Sequence, residues 1–153
     1  MTEAVSNIRA QYIDFMGRAL EEQGLSPIAG RMLGLLIFDG EARSFSELAE
    51  ELGVSRGSIS ANARLLVNKG TIVKENRAGD RQDYFRIADE SFEVMLTSLR
   101  ERILDTARSV QGFAEALPGE QPARRRLCGM AEFYRAMAEG VSLAITRLSN
   151  LKP

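Results

Sequence analysis

One stretch, from Ser44 to Leu66, constrains the fold of this chain more than any other, because it has the pattern of two short helices joined by a tight turn. Ser44 and Glu47 have the spacing of a capping box, which predicts where the first helix begins. Gly53 tolerates the positive φ of a sharp turn, which predicts where that helix ends. Ser55 can then cap the second helix. The stretch therefore predicts a helix-turn-helix.

The two helices of this stretch carry two different surfaces. The positions predicted to face a core are apolar, and they are Leu48, Leu52, Ile59, Ala63 and Leu66. The exposed face of the second helix combines small side chains, hydroxyl groups and guanidinium groups, and it comprises Arg56, Ser58, Ser60, Ala61 and Arg64. Such groups suit base edges and phosphates in a major groove. The second helix is therefore a candidate recognition helix.

Two short segments rich in β-branched and aromatic residues follow, and a polar tip separates them. Residues 71–76 and 82–87 are the predicted strands, and residues 77–81 form the tip. This pattern predicts a β-hairpin, or wing. The candidate DNA-contacting residues of the hairpin are Lys74, Arg77, Gly79 and Arg81. Gly79 would give the tip its conformational freedom.

The charge of the chain is unevenly distributed. The whole sequence has a net charge of −1, which taken alone does not suggest a nucleic-acid-binding protein. Residues 53–86, however, hold seven basic and three acidic residues, a local charge of +4. DNA phosphates respond to the charge within a Debye length of roughly 8 Å, not to the overall balance. The local charge therefore favours a DNA-binding face.

Residues 12–90 resemble the winged helix-turn-helix of the MarR family of bacterial transcriptional regulators. Two segments resemble its GbsR-like branch, namely Ser55–Asn62 in the recognition helix and Gly79–Tyr84 in the wing. The resemblance implies that Arg81 is the wing arginine and that Asp80 is its acidic partner. It also implies that the recognition helix begins with four DNA-contacting positions, which are Ser55, Arg56, Gly57 and Ser58.

Ala63 departs from the family pattern, because the family usually has a larger apolar residue at this position. We therefore expect the recognition helix to sit closer to its neighbour or to be rotated slightly. The expected fold class is mainly α with a small β-hairpin wing, a winged helix-turn-helix flanked by N- and C-terminal dimerisation helices. One MarR-like domain is expected over residues 1–153, with the winged module at 24–88 and the dimerisation region at 1–23 and 89–153.

A buried helix is predicted to precede the helix-turn-helix. Ser26 is its predicted cap, and Pro27 occupies the first helical position. The residues after them are apolar on nearly all sides, which predicts burial. Gly30 and Gly34 are four residues apart, so another helix could approach this one closely.

Three amphipathic helices are predicted to flank the winged module. The first covers residues 3–23, with its apolar stripe at Val5, Ile8, Tyr12, Phe15 and Ala19. The second extends from a cap at Asp89 to Leu117, with a heptad seam at Phe92, Leu96, Leu99, Ile103, Thr106, Val110, Phe113 and Leu117. The third covers residues 123–150. Since a helix of about 28 residues is roughly 40 Å long, a small winged domain cannot bury it alone. We expect a two-fold homodimer.

Such a dimer would present two recognition helices to double-stranded DNA. Adjacent major grooves on one face of the duplex are roughly 34 Å apart, so a pseudo-palindromic operator is expected. The family resemblance implies a small-molecule effector bound between the winged module and the helical bundle. Its candidate lining residues are Tyr12, Phe15, Met16, Phe133 and Tyr134. GbsR-like regulators suggest choline-type ligands, which aromatic cages hold, but three tyrosines and no tryptophan argue against that ligand.

Two alternative functions remain open at this point. Cys128 could act as a redox sensor, since a sensor cysteine needs exposure and nearby positive charge, and Arg124–Arg126 are close in sequence. The winged module could instead bind a protein and never contact DNA. An enzyme is not expected, because the chain has no histidine and therefore lacks the commonest general base and most zinc sites. No cofactor or membrane partner is expected, and the absence of a signal pattern predicts a cytoplasmic protein.

Overall fold

The computed structural model describes residues 1–151 and divides into two compact units, Met1–Ser91 and a second that begins at Phe92. The first unit contains α1 (Glu3–Glu22), α2 (Pro27–Asp39), β1 (Arg43–Ser44), α3 (Phe45–Leu52), α4 (Arg56–Asn68), β2 (Ile72–Asn76) and β3 (Asp83–Ile87). The second contains α6 (Pro122–Asn150) and nearly all of α5 (Ser91–Ala116). The expected fold class, mainly α with a small β-hairpin wing, is confirmed.

The predicted helix boundaries of the first unit are confirmed at their capping residues. Ser44 and Glu47 form a complete capping box at the start of α3. Gly53 ends that helix in the left-handed region, at φ 63°. The side chain of Ser26 accepts a hydrogen bond from the Ala29 backbone N–H at the start of α2, with Pro27 at the first helical position. These local signals therefore determine where α2 begins and where α3 begins and ends.

The wing is an antiparallel sheet in the order β1-β3-β2. Residues 72–76 pair with residues 83–87, as the hairpin pattern predicts. The third strand, β1, was not predicted, because it has only two residues, Arg43 and Ser44, which pair with Phe85 and Tyr84. This strand directly precedes α3 and pairs with the hairpin, so it connects the helix-turn-helix to the wing.

The core of the first unit lies where α2, α3 and α4 meet the sheet. Its largest fully buried side chains are Met32, Leu35, Leu36, Leu48, Ile59, Leu66 and Ile72. Ala63 is also buried, as predicted. Burial on the inner side of α4 fixes which face of that helix remains in solvent.

Helix α1 packs on α2 through a face that the sequence pattern did not identify. The predicted apolar stripe is largely exposed, with Ile8 at 59% and Phe15 at 55% relative exposure. The buried face instead contains Ile13 and Gly17. The close approach predicted at Gly30 is confirmed, because a Cβ there would lie 2.4 Å from the Met16 carbonyl oxygen. The packed face of α1 is therefore the one that brings Met16 and Gly17 close to Gly30 of α2, rather than the apolar stripe.

Residues 1–23 were predicted to belong with residues 89–153, but α1 packs on α2 within the first unit. The expected division of one domain into a winged module and a dimerisation region stays a prediction. The expected cap at Asp89 is wrong. Helix α5 begins at Ser91, and Glu90 between them has φ 62°. Asp89 instead forms an ion pair with Arg86 at 3.3 Å.

Small side chains are the most deeply buried residues of the second unit. They are Ala107 and Ala114 of α5 and Ala131 and Ala138 of α6. Arg124 Nε donates to the Ala114 carbonyl oxygen at 3.1 Å, and Arg124 Nη2 donates to the Leu117 carbonyl oxygen. Arg100 Nη1 donates to Ser142 Oγ at 3.1 Å. The two helices are therefore joined by polar contacts in the first half of α5 and at its C-terminal end.

The predicted heptad seam of α5 is mostly on the surface of the single chain. Phe113 is 70% exposed and Phe92 is 51% exposed, whereas Ile103 is buried.

None of the helices that the structure describes combines the length and apolarity that crossing a bilayer requires.

Candidate nucleic-acid interface

The start of α4 is organised by Ser55. Its Oγ accepts a hydrogen bond from the Ser58 backbone N–H at 3.1 Å, and its hydroxyl donates to Ser58 Oγ at 3.0 Å. Gly57 follows in open space, since a Cβ there would meet only Ser55 Oγ, at 3.8 Å. The first turn of a helix presents backbone N–H groups to anions. The predicted contacts at Ser55, Gly57 and Ser58 therefore lie at an accessible helix N-terminus.

Arg56 is exposed, and its guanidinium contacts two residues in the first turn of α3. Its Nη2 atom donates to Ser46 Oγ at 2.5 Å, and its Cζ atom lies 6.0 Å from the centroid of the Phe45 ring. No carboxylate among the described residues pairs with it. Its positive charge is therefore available to an external phosphate.

The outer face of α4 carries the remaining predicted contacts of that helix. Ala61 and Arg64 are exposed, whereas Ser58 and Ser60 are half-buried. The guanidinium of Arg64 makes no ion pair or side-chain hydrogen bond within residues 1–151. Arg56, Ser60 and Arg64 are spaced four residues apart, which places them on one side of the helix.

Asn62 is a residue of this helix that the sequence pattern did not single out. Its Nδ2 atom donates to the Ser58 carbonyl oxygen at 2.8 Å, and its Oδ1 atom accepts from the Ser26 hydroxyl. Ser26 also caps α2. The contact therefore ties the recognition helix to the start of α2. A polar side chain on the half-buried side of an amphipathic helix was the only sequence signal for it.

A surface hollow of about 260 Å³ separates the recognition helix from the wing. It is lined by Phe45, Ser60, Ala63, Arg64, Val67, Lys74, Asp83 and Phe85. The small side chain of Ala63 leaves room for this hollow. Arg64 of the helix and Lys74 of the wing both line this hollow, so the structure places these two predicted contacts beside the same cavity. Lys74 Nζ lies 3.7 Å from Asp83 Oδ2.

The acidic residues of the interface have internal partners. Glu75 pairs with Arg86, Asp83 pairs with Lys74, and Asp80 accepts a hydrogen bond from Tyr84. The arginines without an ion pair in the part of the chain that the structure describes include Arg56, Arg64, Arg77 and Arg81. The acids are therefore occupied, and the uncompensated charge of the recognition helix and wing is positive.

The tip of the wing turns at Gly79, which has φ 79°. Asp80 Oδ2 accepts a hydrogen bond from the Tyr84 hydroxyl at 2.6 Å, and Asp80 Oδ1 accepts from the Gln82 backbone N–H at 2.9 Å. The hydrogen bond from Tyr84 is the main reason that the pKa of Asp80 lies below its ordinary value. The expected pairing of Asp80 with the guanidinium of Arg81 does not occur in this structure.

The five candidate effector-lining residues are distributed over both units. Tyr12 is half-buried, with its ring centroid 5.9 Å from that of Phe38. Met16 packs near Gly34, and Phe15 is exposed. In the second unit, Phe133 makes an edge-to-face contact with Tyr134, with ring centroids 5.5 Å apart. Their role in effector binding stays a prediction.

Cys128 is half-buried on α6 and lines a small hollow of about 220 Å³ together with Arg124. The guanidinium of Arg124 donates to carbonyl oxygens at the end of α5.

No group of three or more residues that could hold a metal ion is found within residues 1–151.

The fold and the basic face together define a winged helix-turn-helix protein of the DNA-binding class. Comparison with known proteins makes the assignment more specific. The family model described as MarR family matches residues 23–83. The HTH-type transcriptional regulator MmpR5 of Mycobacterium tuberculosis (strain ATCC 25618 / H37Rv) is 39% identical over 145 residues, covering 91% of this chain and 86% of the relative.

A crystal structure of a transcriptional regulator matches with a TM-score of 0.72 at 35% sequence identity, covering 93% of this chain and 98% of the other. The chain belongs to the MarR family of transcriptional regulators. This is a family of regulators rather than of enzymes.

Proposed function

We propose that two copies of this chain form a two-fold dimer that binds a pseudo-palindromic operator in bacterial cytoplasm and that a small-molecule effector controls this binding. The observation that carries the proposal is the uncompensated positive charge on the recognition helix and wing, at Arg56, Arg64, Arg77 and Arg81. The affiliation with the GbsR-like branch remains a prediction from the segments Ser55–Asn62 and Gly79–Tyr84.

Exposed apolar side chains support the dimer. In the single chain, Phe113 is 70% exposed, Leu143 is 65% exposed and Phe133 is 59% exposed, all on the two long helices α5 and α6. Ile8 and Phe15 of α1 are exposed to a similar extent. Large exposed apolar patches mark interaction surfaces, and closed two-fold pairs are the commonest homo-oligomers. A second copy of the same chain is therefore the partner that we propose for these helices.

A change in the spacing of the two recognition helices would regulate such a dimer. A ligand shifts the equilibrium between two dimer shapes only if it binds one of them more tightly. The candidate lining residues for this ligand are Tyr12, Phe15, Met16, Phe133 and Tyr134.

The experiment that tests the proposed function is selection of bound duplexes from a random DNA pool. Recovery of a two-fold symmetric motif with half-sites about one helical turn apart would support DNA binding and dimerisation together. The affinity of a labelled duplex with this motif should fall steeply as salt is added. An unenriched pool, with no salt-dependent binding, would instead favour the protein-interaction function.

Arg64→Ala is expected to weaken operator binding about tenfold or more, since a well-placed base contact is worth about 1–3 kcal/mol. The measurement is fluorescence anisotropy with the selected duplex at fixed salt. Arg108→Ala is the matched control, because Arg108 is an exposed arginine on α5 whose partner is Asp105. Equal losses in the two variants would show that only general charge matters and would contradict a specific role for Arg64.

Arg81→Ala is expected to weaken operator binding about tenfold without changing the unfolding temperature. The side chain is exposed and has no ion pair or side-chain hydrogen bond within the described residues, so its loss should leave the fold intact. The expected effect is greatest on operators with A·T-rich flanks, because a narrow minor groove attracts arginine. Paired titrations on A·T-flanked and G·C-flanked duplexes measure it, and unchanged affinity on both would refute the minor-groove role.

A further inference from the structure

Three residues at the tip of the wing, Arg77, Asp80 and Tyr84, are joined in a closed set of contacts, and Gln82 makes one further contact to Asp80. The Cζ atom of Arg77 lies 3.9 Å from the centroid of the Tyr84 ring. The Tyr84 hydroxyl donates to Asp80 at 2.6 Å, and Asp80 accepts from the Gln82 backbone N–H at 2.9 Å. The Asp80 backbone N–H in turn donates to the Arg77 carbonyl oxygen at 3.1 Å. The side chain of Tyr84 thus holds the first and the fourth residue of the turn, Arg77 and Asp80, at once.

The two arginines of the tip are held differently. Arg77 rests on an aromatic face, where a guanidinium is attracted by the ring electrons. Arg81 is exposed, and its guanidinium has no ion pair or hydrogen-bond partner within residues 1–151. The tip therefore presents one cation that is already ordered and one that is free to move.

The hydrogen bond between Tyr84 and Asp80 is expected to persist at neutral pH. It lowers the pKa of Asp80 and raises the pKa of Tyr84 from their ordinary values. Asp80 therefore remains an acceptor and Tyr84 remains a donor throughout the neutral range. The ring that carries Arg77 is thus fixed at both of its ends, by strand β3 and by the hydroxyl.

Ordering a long side chain on binding reduces affinity, and a side chain that is ordered beforehand avoids most of this loss. We propose that Tyr84 is a positioning residue of the DNA interface, which holds Arg77 ready for a backbone phosphate while Arg81 remains free to adapt to the groove. This inference rests on the proposed function, since it assigns a role at the same interface.

The test is a double-mutant cycle in operator affinity, with the duplex recovered from the random pool as the probe. Tyr84→Leu removes the ring and the hydroxyl and is expected to weaken binding about three- to tenfold. In the Arg77→Ala background the same change should have no further effect, because the side chain that it positions is gone. In the matched Arg81→Ala background the full loss should remain.

The dependence of affinity on salt separates positioning from damage to the hairpin. Arg77→Ala should reduce the slope of log affinity against log salt by about one, as for a lost phosphate contact. Tyr84→Leu should leave that slope unchanged, since Arg77 still reaches the phosphate once bound. A Tyr84→Leu variant that lowers the slope, or whose loss is the same in the Arg77→Ala background as in the wild type, would overturn the positioning role.

Tyr84→Phe keeps the ring and removes only the hydroxyl, so it keeps the test decisive if Tyr84→Leu does not fold. We expect it to retain the coupling with Arg77 at a reduced size, and the absence of any coupling in this variant would also overturn the proposal. If the wild-type chain shows no salt-dependent binding to any duplex, the proposed function fails as well. If it binds but the losses at Tyr84 and Arg77 are additive, only the present inference fails.

Discussion

Gly30→Ala is expected to lower the free energy of unfolding of the first unit by about 2–3 kcal/mol. A Cβ at this position would lie 2.4 Å from the Met16 carbonyl oxygen and 2.9 Å from Gly17 Cα. Both atoms belong to the backbone of α1, so no side-chain rotation relieves the clash and the two helices must separate. Overpacking typically costs about 1–3 kcal/mol and occasionally more, and the better helix propensity of alanine returns at most about 1 kcal/mol.

Two other glycines of the same unit provide graded controls. At Gly34, a Cβ would meet the Met16 side chain at 3.0 Å and the Ile13 Cα atom at 3.3 Å, so Gly34→Ala should have an intermediate effect. At Gly57 only Ser55 Oγ is near, at 3.8 Å, so Gly57→Ala should not destabilise the unit and should stabilise it by at most about 1 kcal/mol through helix propensity. Urea unfolding monitored by circular dichroism gives the order. Equal effects at Gly30 and Gly57 would show that close helix approach is not what Gly30 provides.

The sequence predicts those parts of the first unit that depend on neighbours a few residues away. The capping box of Ser44 and Glu47, the left-handed turn at Gly53 and the cap at Ser26 each involve residues within one helical turn. The spacing of apolar residues in α4 likewise determines which side of the recognition helix is buried. Three of the candidate DNA contacts on this helix, Arg56, Ala61 and Arg64, are therefore exposed as the pattern implied.

The sequence does not predict features that depend on distant partners. Helix α1 has a regular apolar stripe. The face that packs on α2 is nevertheless the one with Gly17, because Gly30 of α2 lets the two helix backbones approach closely there. Strand β1 has two residues and forms only because Phe85 and Tyr84 are beside it. Asp80 was expected to hold Arg81, but its carboxylate accepts a hydrogen bond from the hydroxyl of Tyr84 on strand β3. In each case the competing partner lies on another element or across the turn.

A network of two arginines and two acids is the largest of these long-range features. Arg9 of α1 donates to Asp39 at 2.6 and 2.7 Å and to Glu51 at 2.6 Å. Arg43 of β1 donates to Asp39 at 2.7 Å. The Asp39 side chain is only 4% exposed. It therefore joins the N-terminal helix, the end of α2 and the start of the sheet at one point, close to the helix-turn-helix.

Asp39→Asn is expected to lower the free energy of unfolding at neutral pH by about 2–3 kcal/mol. Removal of one member of a buried ion pair typically costs about 3–5 kcal/mol because the remaining charge is uncompensated, and the partial exposure of Arg9 and Arg43 reduces this value. Asp14→Asn is the matched control on the same pair of helices. Asp14 is 60% exposed and lies 3.5 Å from Arg31, so its loss should cost less than about 0.5 kcal/mol.

The dependence on pH distinguishes loss of this charge from a general packing defect. The hydrogen bond from Arg9 is the main cause that holds the pKa of Asp39 below its ordinary value. Its stabilising effect is therefore complete above the unfolded-state pKa of about 3.9, and it is lost as the pH falls through the lower folded-state pKa. The gap in stability between the wild type and Asp39→Asn should remain constant from about pH 8 to pH 5 and close progressively below about pH 4. Urea unfolding at each pH measures this gap, and a gap of unchanged size at low pH would show that the asparagine disturbs packing rather than the ion network.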